Sequence, residues 1–235
     1  MTSRDKIQFL IFRSIGNFLL LLSLYGVYAT FSPVMSQEIR VRIERMRGIR
    51  YLVTEETELA QVYIPKEEMR TPGALSTLLS DEKVYTLVPI DPLLSILIPK
   101  IGASERIIPN VDPENREEYQ KALLQGVAHA KGTVFPGMPG NTYLFAHSAD
   151  NWWNAGRYNA VFYLLKDLEK GDDIVIFFEN RRYNYEVSEK YLANPDAVSL
   201  LTDSRSTEQK LILQTCWPPG TTWKRLFIVA KPKKI

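Results

Sequence analysis

One cysteine and two histidines occur in 235 residues, and that scarcity removes whole classes of chemistry. A lone Cys216 excludes an intramolecular disulfide framework and any zinc site built from several cysteines. Charge of either sign is not in excess: 29 Lys and Arg against 27 Asp and Glu leave a formal net charge of +2, without the basic bias of a nucleic-acid binder, so no nucleic-acid partner is expected. There is no internal repeat and no low-complexity tract, which removes solenoids and compositionally biased linkers. What is present is 45% hydrophobic and 24% charged, an ordinary globular composition with enough apolar mass for a core. The length suits one domain plus an appendage.

The appendage is at the N-terminus. Residues Ile15 to Val34 are mostly apolar, Phe18 to Phe31 carry no charge, and Arg4, Lys6 and Arg13 precede them. A hydrocarbon span takes about 20 apolar residues, and Ile7 to Phe12 extend this one if Arg13 snorkels. No small-residue cleavage site follows the run, so an uncleaved anchor in the lipid bilayer is expected over a signal peptide or a buried core helix. The expected layout is a tail at 1–14, a transmembrane anchor at 15–34, a juxtamembrane region at 35–83 and a globular domain at 84–235. Five arginines (Arg40, Arg42, Arg45, Arg47 and Arg50) follow the span, and counting them against the three basic residues before it puts the C-terminus inside. Long domains translocate despite such charges. A single-pass membrane protein with the globular domain outside is expected.

Gln37 to Arg50 reads as a basic helix at a membrane surface or in solvent. Tyr51–Val53 and Gln61–Ile64 read as short strands, and Arg70–Ser80, with Pro72 and Gly73, as a turn followed by a helix. From Val84 the chain becomes a series of short apolar runs: Val84–Ile90, Ser95–Ile101, Arg106–Ile108, Thr142–Ala146, Asp173–Phe178, Tyr183–Leu192, Leu211–Gln214 and Leu226–Ala230. Tyr183, Tyr185 and Val187 alternate with polar residues, as in a half-buried strand. Glu114–Gln125 and Asn159–Leu168 have helical spacing. Many short strands with few helices point to a closed or sandwiched β fold.

Three of these runs end or begin at reactive side chains. Cys216 follows Leu211–Thr215, His147 follows Thr142–Ala146, and Arg225 precedes Leu226–Ala230. A thiolate attacks carbonyls, an imidazole takes and returns the proton, and a guanidinium stabilises the resulting oxyanion. Bland readings compete with each: a small buried hydrophobe, a structural histidine, a solvated arginine. Spacing alone does not separate the two sets. Trp152, Trp153, Trp217 and Trp223 lie near these residues in sequence; they pack loops, or Trp217 and Trp223 wall a peptide groove. Pro218, Pro219 and Gly220 lie in the same loop, where the prolines restrict the backbone.

The stretches Ile98–Gly102, Gly126–Thr133, Pro139–Asn141, Phe145–Ser148, Phe162–Leu168, Lys170–Asp172 and Thr215–Cys216 with Arg225 resemble, in order and spacing, those of the sortase family. Sortases are membrane-anchored cysteine transpeptidases of cell envelopes. The resemblance runs from about Leu93 to Lys231. It implies a mainly β fold: a closed eight-stranded β-barrel with short helices, preceded by the transmembrane helix. It implies Cys216 as nucleophile, His147 as acid and base, and Arg225 as oxyanion or substrate stabiliser. Thr215, with Trp217 and Trp223, is expected to contact substrate. Ile212 stands where the family usually has threonine, a departure expected to affect strand packing rather than chemistry and to bear on sorting-signal preference. His129 is expected to be structural, bonded within the barrel. The implied partners are the C-terminal sorting signal of a surface protein, of Leu-Pro-x-Thr-Gly type, and an amine acceptor on a cell-wall precursor or pilin. The chemistry requires no metal or other cofactor. An exported cysteine peptidase with the same Cys–His pair and a non-catalytic β-barrel interaction module are the rival readings.

Overall fold

A computed structural model of the chain describes residues 3–54, 84–148, 160–195, 208–219 and 221–233. The expectations for Gln61–Ile64, Arg70–Ser80, Trp152 and Trp153 lie outside these residues.

Helix α1 spans Ser3–Met46 without a break. Its stretch Ile7–Tyr28 is exposed and is long and apolar enough to cross a membrane. At 1.5 Å per residue these 22 residues reach about 33 Å, against about 30 Å of hydrocarbon. The stretch takes in Ile7 to Phe12, the extension allowed for the expected anchor at 15–34, and α1 runs through Arg13. The basic segment expected from Gln37 is the end of this same helix. It packs on the globular domain: Val41 is buried in the main core, and Lys166 Nζ donates to Glu38 Oε2 at 2.6 Å. Lys166 also donates to the Tyr163 hydroxyl at 2.9 Å and lies 4.3 Å from the centre of that ring.

Strand β1 (Arg50–Val53) pairs in parallel with β2 (Val84–Leu87) as a separate two-stranded sheet. Val53 and Leu87 pack on Leu97, Val175 and Phe177. The run beginning at Val84 therefore forms an outer layer rather than a barrel strand, and packing on the barrel extends upstream of residue 84.

The barrel consists of β3 (Leu94–Ile98), β4 (Ala103–Val111), β5 (Val127–Ala130), β6 (Asn141–Phe145), β7 (Asp173–Phe178), β8 (Arg181–Ala193), β9 (Lys210–Trp217) and β10 (Lys224–Pro232). They close in the order β10-β8-β7-β3-β4-β5-β6-β9. This is the eight-stranded closed barrel expected, with one exchange of members. Strand β5, Val-Ala-His-Ala, was not among the expected strands. All four of its residues are buried, so it lacks the alternation that marks a one-sided strand.

Two of the pairings, β4 with β5 and β6 with β9, are parallel, and parallel neighbours need crossover connections. Helix α2 (Arg116–Leu123) makes the first. Asn115 caps it by accepting from Glu118 N–H at 3.2 Å, and Ala122 and Leu123 pack on Val111 and Ala128. The second crossover includes a 3-10 segment at Ala160–Asp167, where an α-helix was expected, and the β7–β8 hairpin. That hairpin turns on Glu179 and Asn180, with φ of 51° and 62°, the left-handed pair whose twist suits two antiparallel strands. Inside, Ile96, Ile98, Leu144, Ile174, Ile176, Leu211, Leu213 and Ile228 form the core.

Candidate active site

Strand β9 carries the thiol, and alternation decides which way it faces. Leu211 and Leu213 enter the barrel core, so Ile212, Gln214 and Cys216 lie on the outer face. On β10, Leu226 and Ile228 point inward, which turns Arg225 and Phe227 outward. The antiparallel register then sets Arg225 directly against Cys216. Arg225 Nη1 lies 3.4 Å from Cys216 Sγ and also donates to the carbonyls of Thr222 at 3.3 Å and Lys224 at 3.4 Å. The guanidinium is thus held in place by backbone oxygens with its permanent positive charge at the sulfur. The thiol is free and half-buried.

The other flank of β9 is β6. Here Phe145 pairs with Gln214 in parallel register. Ala146 N–H donates to Gln214 O at 3.2 Å, and Thr215 Oγ1 donates to Ala146 O at 3.0 Å. Continuing the register through these bonds sets His147, half-buried, level with Cys216. The three reactive residues read from the sequence are therefore gathered at adjoining strand ends on one side of the barrel.

The three residues expected at the substrate take different places. Thr215 is buried and its hydroxyl is engaged by Ala146, so it ties β9 to β6 beneath the site. Trp217 packs against the main core. Trp223 is 74% exposed beside the site. Two residues not singled out from the sequence line the same outer face. Tyr143 donates to Gln214 Oε1 at 2.6 Å. Burial holds the Tyr143 phenol well above its ordinary pKa of 10, with nearby Tyr191 adding to the rise and Arg225 opposing it. Tyr191 stacks on Phe227 at 5.4 Å. The signal for Gln214 was available: every second residue before an outward cysteine shares its face.

His129 sits elsewhere, buried at the far side of β6. Its Nδ1 accepts from Asn110 N–H at 3.3 Å, while Nε2 reaches Val134 O at 3.2 Å and Thr133 Oγ1 at 3.0 Å. Thr133 donates its own proton to Ala130 O at 2.7 Å, so its oxygen is an acceptor for Nε2–H. The ring stacks on Phe135 at 4.5 Å. This is a neutral, structural histidine. Burial depresses its pKa below the ordinary 6.5. The unfolded chain therefore takes the proton first. The stability His129 contributes is complete above the unfolded pKa and is lost as pH falls through the folded one. The melting temperature should fall between about pH 7 and pH 5, with the slope kept in His147→Gln and absent from His129→Gln. A melting temperature flat across that range in the unsubstituted chain contradicts this. Among the described residues no group of three or more His, Cys, Asp or Glu gathers as a metal-binding cluster.

The sequence model of the Sortase domain matches residues 96–233, more than half of the chain and all of the site just described. The chain belongs to the sortase family. Sortases are cysteine transpeptidases. Sortase D of Bacillus subtilis (strain 168) is 29% identical over 137 residues, which cover 57% of this chain and 60% of that protein. The matched part is thus less than two thirds of that sortase's length. Sortase C-1 from Actinomyces oris has the same fold, with a TM-score of 0.51 and 26% identity over 62% of this chain and 76% of that one. So does Clostridium perfringens sortase C with the C-terminal cell wall sorting motif, at a TM-score of 0.50 and 22% identity over 60% and 70% of the two chains.

Proposed function

We propose that this chain is a membrane-anchored transpeptidase that cleaves the C-terminal sorting signal of a surface protein and joins the released acyl group to an amine. The contact between Arg225 and Cys216, at the strand end shared with His147, carries the reading. The Cys216 thiolate adds to the scissile carbonyl carbon. The oxyanion that forms is stabilised by the Arg225 guanidinium, already held at the sulfur. The C–N bond breaks as His147 gives a proton to the leaving amine, leaving a thioester on Cys216. An incoming amine loses a proton to His147, attacks the thioester carbon and expels the thiolate. No step calls for a metal.

The signal is of Leu-Pro-x-Thr-Gly type by family resemblance, and the acceptor is an amine of a cell-wall precursor or of a pilin. The experiment that separates transfer from hydrolysis supplies a peptide of that type with and without an amine such as triglycine. An amide product that grows with amine concentration, at the expense of hydrolysed peptide, is expected. Hydrolysis at an unchanged rate and no ligated product would favour a cysteine peptidase instead.

A helix at Ile7–Tyr28 with the barrel following it fits an anchor whose C-terminal domain lies outside the cell, where such substrates are. Because Cys216 is the chain's one cysteine, thiol labelling reports on this directly. A membrane-impermeant maleimide added to intact cells should label the protein. Labelling only after the cells are opened would place the domain inside.

A further inference from the structure

Gln214 is a polar group in aromatic surroundings. It faces outward two positions before Cys216, and its register neighbours are Phe145 on β6 and Phe227 on β10. Beyond them lie Tyr143, Ile212 and Tyr191, packed in the same outer cluster. A carboxamide among such side chains is costly unless its hydrogen-bonding groups are satisfied. One is: Tyr143 donates to Oε1 at 2.6 Å. Tyr143 is only 3% exposed, so its hydroxyl is largely shielded from solvent and Gln214 Oε1 is the acceptor it meets. Flipping the amide would set that proton against NH2 and leave it without an acceptor. Tyr143 therefore fixes the amide with its oxygen inward and its NH2 outward. Gln214 is half-buried, so part of the residue is still reachable on that outer face.

We propose that Gln214 determines peptide specificity, its Nε2–H2 donating to a side-chain acceptor oxygen within two residues of the scissile bond. Two residues along a strand span about 7 Å, so a peptide whose scissile carbonyl is at Cys216 brings a neighbouring residue over Gln214. Tyr143 is the positioning residue that selects a donor rather than an acceptor on that surface. An apolar peptide side chain there displaces water from the NH2 without replacing its hydrogen bond, which is the basis of discrimination. The inference rests on the transpeptidase reading above.

The test uses the full chain in detergent, triglycine as acceptor and fluorogenic Leu-Pro-x-Thr-Gly-type peptides. Each position near the scissile bond is varied among Ala, Leu, Ser, Asp and Gln. At one position the unsubstituted chain should prefer acceptor-bearing residues over Leu by about tenfold in kcat/KM. Gln214→Leu should remove that preference at that position only. Tyr143→Phe, which frees the amide to rotate, should weaken it. Gln214→Glu replaces a donor by an acceptor and should disfavour Asp at the same position, which keeps the test decisive if the leucine variant folds poorly. An unchanged profile in folded Gln214 variants that retain Cys216-dependent turnover would overturn the inference alone. So would a uniform loss across all peptides, which would indicate general packing. Absence of Cys216-dependent turnover in the unsubstituted chain would overturn the transpeptidase reading and this inference together.

Discussion

Cys216→Ala is expected to abolish peptide turnover, with kcat/KM falling by on the order of 10^4 or more. The reason is covalent: no other thiol exists in the chain to form the acyl intermediate. Replacing the Sγ–H group by hydrogen removes the nucleophile and leaves Arg225, its carbonyl contacts and the barrel beneath intact. The half-buried position of Cys216 makes a large folding defect unexpected, because the sulfur fills no part of the main core. The variant should therefore melt close to the unsubstituted chain while losing turnover. Residual amine-dependent ligation within tenfold of the original rate would assign the chemistry to another residue.

His147→Gln is the second large effect, a loss of about 10^2 to 10^4 in kcat with little change in melting temperature. Glutamine retains a hydrogen-bonding side chain and loses the ability to take and return a proton. His129→Gln should behave in the opposite way. It removes an acceptor for Asn110 N–H and perturbs the Thr133 and Val134 contacts, so it should lower the melting temperature and leave the chemistry of the folded fraction nearly unchanged. Rates normalised to folded protein measure both. If His129→Gln lost turnover while folded and His147→Gln did not, the two histidines would have to exchange roles.

That pair of histidines shows what residue order conveys. His147 follows an apolar strand that ends at the site, and the parallel register of β6 with β9 puts it beside Cys216. His129 lies inside a strand of four buried residues, and that burial hid β5 from a reading based on alternation. Strands β7, β9 and β10 were legible because their apolar runs are distinct and bounded. The run from Val84 looked equally strand-like, yet it pairs with β1 outside the barrel, since membership depends on partners far away in the chain. Likewise α1 is continuous to Met46, its end fixed by Val41 and by Glu38 with Lys166, contacts between residues far apart in sequence. The cysteine, histidine and arginine could be named from their strand ends and the family resemblance. The inward turn of Thr215 and Trp217, and the outward amide of Gln214, needed the direction of β9 in the barrel. Once Cys216 faces out, alternation sets the rest.

The mass of the intact protein after brief exposure to a Leu-Pro-x-Thr-Gly-type peptide, with triglycine withheld, tests covalent catalysis most directly. A transpeptidase should gain the mass of the acyl fragment through a thioester at Cys216. The adduct should disappear when triglycine is added, with matching release of ligated peptide, and should not form in Cys216→Ala. Ligated product formed without any adduct on Cys216, or at the same rate in Cys216→Ala, would contradict the mechanism.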